Sequence, residues 1–196
     1  AGKIPITVKS RIGVDDQNPD EVLPEFITKV ANSGCRVFII HARKALLQGL
    51  SPKDNRTIPP LRYPLVYEMQ KSFPGLDIIL NGGLTDLKEI KSCVKNRVAG
   101  VMIGREAYEN PSILLKVDNE IFDQKKKIRS MKGAIRSMIE YCNREQAEGT
   151  AIKGILKHLK GAFKGQANSK EFKRLLFCNE TTDLEKLEKL LSLIHI

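Results

Sequence analysis

Short apolar segments alternate with helical patterns over the first 123 residues. The strand-like segments are residues 4–9, 36–41, 77–81 and 99–104. They are apolar on both faces, which is typical of strands buried in a parallel sheet. Helical spacing of apolar residues marks three intervening segments, 20–33, 65–72 and 86–94. Repeated βα units predict a parallel sheet, and periodicity alone leaves open a small open sheet or half of a (β/α)₈ barrel.

From residue 124 onward the pattern is helical only. Apolar residues at helical spacing mark the segments 128–148, 152–165, 169–176 and 182–193. This pattern predicts a bundle of three or four helices. We therefore predict two domains, a βα domain over residues 1–123 and a small all-α domain over residues 124–196.

The charge of the chain is concentrated in the second of these domains. The 196 residues are 41% hydrophobic and 29% charged, which argues against a disordered chain, and the net charge is +10. Residues 1–123 carry a net +2 and residues 124–196 a net +8. A basic domain indicates a polyanionic partner such as nucleic acid, although lysine-rich surfaces also occur for solubility alone.

Several classes of protein are disfavoured by the sequence. The longest apolar run, residues 37–40, is far shorter than the roughly 20 residues of a membrane-spanning helix. The N-terminal residues lack the pattern of a signal peptide. Four dispersed cysteines with no Cys-x-x-Cys pair argue against a disulfide framework or a zinc site. We therefore expect a cytoplasmic protein with no membrane segment and no metal.

Polar residues and glycines follow each strand-like segment, where parallel sheets usually carry their functional groups. These residues are Lys9, His41, Asn81 with Gly82 and Gly83, and Gly104 with Arg105. Their recurrence at four strand ends predicts one shared pocket. For the individual residues, a lysine that reaches solvent, a structural histidine and a simple glycine turn remain alternatives.

The glycine pairs and a long connection indicate an anionic ligand. Glycines let backbone N–H groups approach phosphate oxygens, and Arg105 offers a bidentate charge. The connection over residues 43–62 is rich in proline and basic residues, and loops of this length are usually functional or mobile. It is suited to a polyanionic substrate, with a packing loop at the rim of the sheet as the alternative.

At these residues the sequence resembles the tRNA-dihydrouridine synthases, most closely their A-type bacterial subfamily. The matching stretches are ITVKSRIGVDD (6–16), GCRVFIIHARKALLQGLSPKDNRTIPPLRYPLVYEMQ (34–70), LNGG (80–83) and GVMIGREAYENP (100–111). The run SPK-x-NR-x-IPPL is the most specific of them. A weaker match extends through residues 152–176.

The resemblance implies an FMN-binding (β/α)₈ TIM-type barrel followed by a helical tRNA-binding domain. Such enzymes reduce the C5–C6 double bond of specific uridines in tRNA, with NADPH as the reductant. The implied cofactor-binding residues are Lys9, His41, Asn81, Gly82, Gly83, Gly104 and Arg105. The implied tRNA contacts are Lys53, Arg56, Lys170 and Lys173, of which the last two stand where the family tends to carry arginine.

The chain departs from the family pattern in one respect. It supplies four βα units, the second half of the barrel, while the first half carries the catalytic cysteine. None of the four cysteines here lies in that motif, so we expect no catalytic residue in this chain, weak FMN binding and no synthase activity without a missing N-terminal barrel half. A non-catalytic RNA-binding protein on a flavin-barrel scaffold, and another FMN- or phosphate-binding barrel oxidoreductase, are the alternatives.

Overall fold

The computed structural model describes residues 4–96, 98–125, 130–177 and 184–193. Its contacts divide the chain into two compact units, Ala1–Gly104 and Arg105–Ile196. The division lies 19 residues before the boundary at 123/124 that the sequence pattern predicts, for a reason given below. Each unit is described by itself.

The first unit is built on a four-stranded parallel sheet. Its strands are β1 (Thr7–Arg11), β2 (Val37–His41), β3 (Asp77–Asn81) and β4 (Gly100–Met102), which lie side by side in chain order. The connecting helices are α1 (Pro19–Asn32), α2 (Tyr63–Ser72) and α3 (Leu87–Lys95). The predicted α/β class with a four-stranded parallel sheet is confirmed.

The two faces of this sheet differ in burial. Side chains alternate between faces along a strand. One face carries Phe38, Ile40, Ile78 and Leu80, all at most 1% exposed. Full burial of each such side chain stabilises the fold by roughly 1.5–3 kcal/mol. The opposite face carries Lys9, which is exposed, and Ile79, which is half-buried, so it is the more open of the two.

Capping residues fix where the helices of this unit begin. The side chain of Asn18 accepts a hydrogen bond from the Asp20 amide at 3.2 Å, and Pro19 occupies the first turn. Asp86 caps α3 in the same way, accepting from the Lys88 amide at 2.6 Å. Both helices begin within one residue of the position that the apolar spacing predicts.

The first strand begins later than its sequence pattern predicts. The apolar pattern covers residues 4–9, whereas β1 spans Thr7–Arg11. Its partner β2 begins at Val37, which pairs with Thr7, so residues 4–6 extend beyond the partner strand. Pro5 also lacks the N–H that a ladder needs. As a result Ile4 and Ile6 are 80% and 74% exposed.

The described part of the second unit is helical. Its α-helices are α4 (Arg105–Glu109), α5 (Val117–Glu120), α6 (Met131–Ala147), α7 (Lys153–Leu156), α8 (Ser169–Phe177) and α9 (Leu184–Leu193), with 3₁₀ turns at Pro111–Lys116 and Lys157–Leu159. One apolar core joins α6 to α9 and includes Ile135, Leu156 and Leu187. Within it, Phe163 and Phe172 pack edge to face, with ring centroids 4.8 Å apart.

The predicted helix over residues 152–165 is wrong in its length. It consists of the short α7, a 3₁₀ turn that ends at Leu159, and further turns. Gly161 lies among these turns, and its Cα lies against the backbone of α4: a Cβ there would be 2.5 Å from the Tyr108 carbonyl oxygen and 2.6 Å from that of Glu109. This contact between distant residues has no local sequence signal.

The same contact explains why the units divide after residue 104. The Tyr108 hydroxyl lies 3.2 Å from Nδ1 of His158, and the Lys160 ammonium lies over the Tyr108 ring. Lys164 also lies 3.8 Å from the Glu106 carboxylate. Residues that follow β4 therefore pack with the helical unit. Separately, none of the helices in the described ranges combines the length and apolar character needed to cross a membrane.

Gly161→Ala should destabilise the second unit. The added methyl meets two backbone carbonyl oxygens, and overpacking of this kind costs about 1–3 kcal/mol. Gly154→Ala is the matched control, because no atom lies within 4 Å of its Cβ position and it sits inside α7. Urea unfolding should show a lower midpoint for Gly161→Ala and an unchanged or higher midpoint for Gly154→Ala. Equal midpoints for the two variants would contradict the close approach.

Candidate functional site

The carboxyl ends of the strands form one row of polar side chains. In the pairing register Arg11 is opposite His41, His41 is opposite Asn81, and Asn81 is opposite Met102. Lys9 is two residues before Arg11 and so shares its face of the sheet. With neighbouring strands about 4.8 Å apart, the row from β1 to β3 spans roughly 10 Å. The structure thus brings Lys9, His41 and Asn81 together.

His41 is held against the glycine that follows β3. The imidazole is 9% exposed. Gly82 has a φ of +115°, and a Cβ at that position would be 2.4 Å from Cδ2 and 2.8 Å from Nε2 of the His41 ring. Only glycine leaves room for the ring and adopts this backbone conformation without strain. The glycine turn therefore fixes the position of the histidine.

Gly83 continues this packing toward the long connection. Its φ is +72°, and a Cβ there would be 2.6 Å from a methyl carbon of Leu61. The Tyr63 hydroxyl donates a hydrogen bond to the Gly82 carbonyl at 2.5 Å. On the other side, the Asn81 amide nitrogen donates to the Met102 carbonyl at 2.8 Å. These two hydrogen bonds link the end of β3 and its turn to α2 on one side and to β4 on the other.

The hydroxyl that holds this turn stays protonated well above neutral pH. Partial burial raises the pKa of Tyr63 to about 12, with the nearby Glu89 carboxylate as a further cause. Burial also raises the pKa of Tyr67, whose hydroxyl lies 3.4 Å from the Cys93 sulfur. Tyr63 can therefore donate to the Gly82 carbonyl throughout the physiological range. The sequence pattern gave no reason to single out this tyrosine.

The connection over residues 43–62 is an ordered loop attached to β1. Nη1 of Arg11 donates to the carbonyl oxygens of Lys44 and Asn55, both at 2.8 Å. The Asn55 side chain bonds both backbone groups of Leu46, accepting from its amide at 2.9 Å. The Asp15 carboxylate accepts from the Leu47 amide at 2.7 Å. The loop is therefore built into the fold.

The predicted tRNA contacts of this loop lie on its outer turn. A 3₁₀ turn at Asp54–Arg56 begins where the Ser51 hydroxyl accepts from the Asp54 amide at 3.2 Å. Lys53 and Arg56 flank this turn, and both are exposed. The turn thus presents two cationic side chains to solvent.

Two arginines at the strand ends carry structural roles that the sequence pattern did not distinguish. Arg43, two residues after His41, is buried and donates to the Pro59 carbonyl. Arg11 is half-buried, and its pKa is lowered by burial and by the nearby charges of Arg56 and Arg43. A charged residue at or within two residues of the end of an apolar strand was the available signal, and it was present at both positions.

The remaining predicted site residues are spread over the two units. Gly104 is exposed and ends the first unit, whereas Arg105 is the exposed first residue of α4 in the second. Lys170 and Lys173 are exposed on α8, while Phe172 and Leu176 of the same helix are buried in the core. In the part of the chain that is described, no group of histidine, cysteine and acidic residues is arranged to hold a metal ion.

Comparison with known proteins identifies the family. The profile described as Dihydrouridine synthase (Dus) matches residues 1–195. The chain belongs to the dihydrouridine synthase family. This confirms the resemblance found in the sequence.

Curated relatives agree with this assignment. The chain is 45% identical over 195 residues to the tRNA-dihydrouridine(20/20a) synthase of Escherichia coli K12. The aligned region covers 97% of the chain and 56% of the relative. The synthase of the same name from Pasteurella multocida is 42% identical over 97% of the chain and 59% of the relative. The chain thus spans a little over half the length of these relatives.

A solved structure of the Salmonella typhimurium response regulator RcsB also matches. The match covers 97% of this chain and 99% of that one, with 14% sequence identity and a TM-score of 0.29. A TM-score this low says nothing about the fold.

Gly82→Ala should displace the His41 ring and destabilise the first unit. The alanine methyl would overlap the imidazole, and a positive φ costs alanine about 1–2 kcal/mol. Gly75→Ala is the control, because its Cβ position is open and its φ is not positive. In Gly82→Ala the urea unfolding midpoint should fall and the His41 ring resonances in NMR spectra should shift. In Gly75→Ala neither quantity should change. Unchanged His41 resonances in Gly82→Ala would show that the ring does not rest on the glycine.

The raised pKa of Tyr63 should make stability depend on alkaline pH. The folded chain keeps the phenol proton up to about pH 12, whereas the unfolded chain releases it near pH 10. The free energy of unfolding should therefore fall as pH rises from 10 to about 12. Because Tyr63→Phe lacks this proton, its free energy of unfolding should fall less over the same interval in urea titrations. Parallel pH profiles for the two proteins would contradict the assigned environment.

Proposed function

We propose that this chain forms the C-terminal portion of an FMN-dependent tRNA-dihydrouridine synthase, with the second half of a (β/α)₈ barrel and a basic helical tRNA-binding domain that begins near residue 124. The observation that carries the proposal is that Lys9, His41 and Asn81 share one face of the sheet near the carboxyl ends of its strands, in a chain 45% identical to synthases of this name. The whole protein would work in the cytoplasm, where its tRNA substrate is found.

The residues at the strand ends fit FMN by their chemistry. Lys9 supplies an ammonium donor, His41 an imidazole, and Gly82 with Gly83 a turn whose backbone lies close to the site. Ile79, which is half-buried on the same face as Lys9, offers an apolar surface for a flat ring. Bound FMN supplies hydride transfer.

In this reaction the residues of this chain would bind the ligand and orient it. Overall, uridine gains a hydride and a proton across C5–C6 while NADPH is oxidised to NADP⁺. Lys9 would hold a bound flavin with its ammonium group, and a positive charge there would favour negative charge on the ligand. Because Gly82 leaves the His41 ring little freedom, its donor group is oriented before the ligand arrives. Pre-orientation of this kind lowers the entropic cost of binding.

The proton in this reaction would come from outside this chain. Cys93 lies in α3 and Cys142 in α6, and both are buried. Burial raises the pKa of the Cys142 thiol. Cys35 precedes β2, at the opposite end of the strands from His41, and Cys178 lies outside the described residues. We therefore place the acid in an N-terminal barrel half, as the family resemblance implies.

Two exposed basic groups would contact tRNA. Lys53 and Arg56 lie on the outer turn of the first unit, and Lys170 and Lys173 lie on the solvent face of α8. Residues 124–196 carry a net +8. Phosphate contacts of this kind make affinity fall steeply with salt. A uridine must also leave the base stack to reach a ring at the sheet edge.

A fluorescence titration with FMN tests the proposal. Lys9→Ala and His41→Ala should each raise the FMN dissociation constant of the chain about tenfold, the loss of one charged or charge-assisted contact. Lys29→Ala is the control, because Lys29 is exposed on α1 and pairs with Glu25. With FMN, NADPH and unmodified tRNA the chain alone should form no dihydrouridine.

Three outcomes would contradict parts of this proposal. Dihydrouridine formed by the chain alone would leave the synthase function standing and show that the acid lies within the chain. A salt-dependent tRNA complex with no FMN binding would favour a non-catalytic RNA-binding protein. An FMN-dependent activity on a small molecule, insensitive to salt and to RNA, would favour another flavin-barrel oxidoreductase.

A further inference from the structure

We propose that Tyr63 is a positioning residue, whose hydroxyl holds the turn of Gly82 and Gly83 in the conformation that binds FMN. The inference rests on the proposed function, in which this turn lies at the FMN site. It assigns a role to a residue of α2 that neither the sequence pattern nor the family resemblance singled out here.

The Tyr63 hydroxyl lies against both glycines of the turn. It donates a hydrogen bond to the Gly82 carbonyl at 2.5 Å, and it lies 3.3 Å from the position that a Cβ of Gly83 would take. A trans peptide unit is planar, so a carbonyl oxygen and the N–H of the next residue point in opposite directions. The hydrogen bond to the Gly82 carbonyl therefore also fixes the direction of the Gly83 N–H, which points away from the tyrosine.

Tyr63 approaches the turn from the helix-covered side of the sheet. Helix α2 contacts β3 and has buried residues of its own, so it packs on the fully buried face of the sheet. The side chains of Lys9 and His41 share the opposite face. A Gly83 N–H that points away from Tyr63 is therefore directed toward the side of the sheet that carries these two groups.

The Gly83 amide is available to a ligand. Gly83 is exposed, and among the described residues none accepts a hydrogen bond from its amide. A backbone N–H is an obligatory donor, and one without a protein partner bonds water or a ligand acceptor. If its direction is set before the ligand arrives, binding does not have to order the turn.

The position of Tyr63 is fixed by the residue before it. The Arg62 amide donates to the Ala42 carbonyl at 2.8 Å, directly after His41. The Arg62 guanidinium forms a bidentate ion pair with Asp20, at 2.8 and 3.0 Å. The first residue of α2 is therefore tied both to the end of β2 and to the start of α1, so its hydroxyl meets the turn from a fixed point.

The other contact of the turn does not set its direction. A Leu61 methyl group packs against Gly83, but an apolar contact does not orient a peptide unit, whereas a hydrogen bond does. Burial and the nearby Glu89 carboxylate raise the pKa of Tyr63 to about 12, so its hydroxyl remains a donor at neutral pH. The orientation of the Gly82 carbonyl is thus assigned to this one hydroxyl.

Tyr67 provides a matched control one turn further along α2. Its ring centroid lies 6.5 Å from that of Tyr63, and its hydroxyl lies 3.4 Å from the Cys93 sulfur instead of at the turn. Both tyrosines are half-buried, and phenylalanine at either position removes one hydroxyl and keeps the ring. If the hydroxyl at position 63 contributes to stability alone, the two phenylalanine variants should bind FMN alike.

The experiment titrates the chain and both variants with FMN and follows the flavin fluorescence. Tyr63→Phe should raise the FMN dissociation constant about fivefold, the factor that corresponds to one neutral hydrogen bond, and Tyr67→Phe should leave it unchanged. In NMR spectra recorded before FMN is added, the Gly83 amide resonance should shift in Tyr63→Phe and stay in place in Tyr67→Phe. Urea unfolding at neutral pH checks that each variant is folded under the conditions of the titration.

The result separates this inference from the function on which it rests. Equal FMN dissociation constants for the two phenylalanine variants, or weaker binding by Tyr63→Phe with an unshifted Gly83 amide, would overturn the positioning role while the proposed function stands. If the unmodified chain does not bind FMN, the FMN-binding role of this unit fails, and the inference fails with it.

Discussion

Parallel pairing of the first three strands without stagger is the constraint on which the site depends. Because Thr7, Val37 and Asp77 are in register, the strands end together at Arg11, His41 and Asn81. A shift of one residue in any strand would turn its polar end group to the opposite face. That face carries Phe38, Ile40 and Leu80, which are at most 1% exposed, so a slip would also bury polar groups and expose apolar ones. The apolar core thus fixes the position of the site.

The turn after β3 connects this register to the rest of the first unit. The His41 ring packs against Gly82, and the Tyr63 hydroxyl donates a hydrogen bond to the Gly82 carbonyl oxygen. Asn81 bonds the end of β4. On the other side of the row, Arg11 bonds both arms of the long loop. The groups proposed to meet FMN and those proposed to meet tRNA are therefore attached to neighbouring strands of one sheet.

Local sequence patterns were sufficient for the four parallel strands and for the starts of two helices. The apolar segments predicted the strands, and α1 and α3 begin within one residue of their predicted positions. What they missed depends on contacts between residues far apart in sequence. Gly161 lies against the α4 backbone, and Arg11 bonds a carbonyl 44 residues away. Neither contact leaves a periodic signal in the chain.

The most direct test of the account is a titration of the isotopically labelled chain with FMN, followed by NMR. The central claim is that Lys9, His41, Asn81 and the turn after β3 bind one ligand. We expect the largest shifts at the amides of Gly82 and Gly83 and at the His41 ring, with no change at Gly75 and Asp77 near the opposite edge of the sheet. Shifts confined to that opposite edge, or none at the His41 ring when FMN is bound, would contradict the claim.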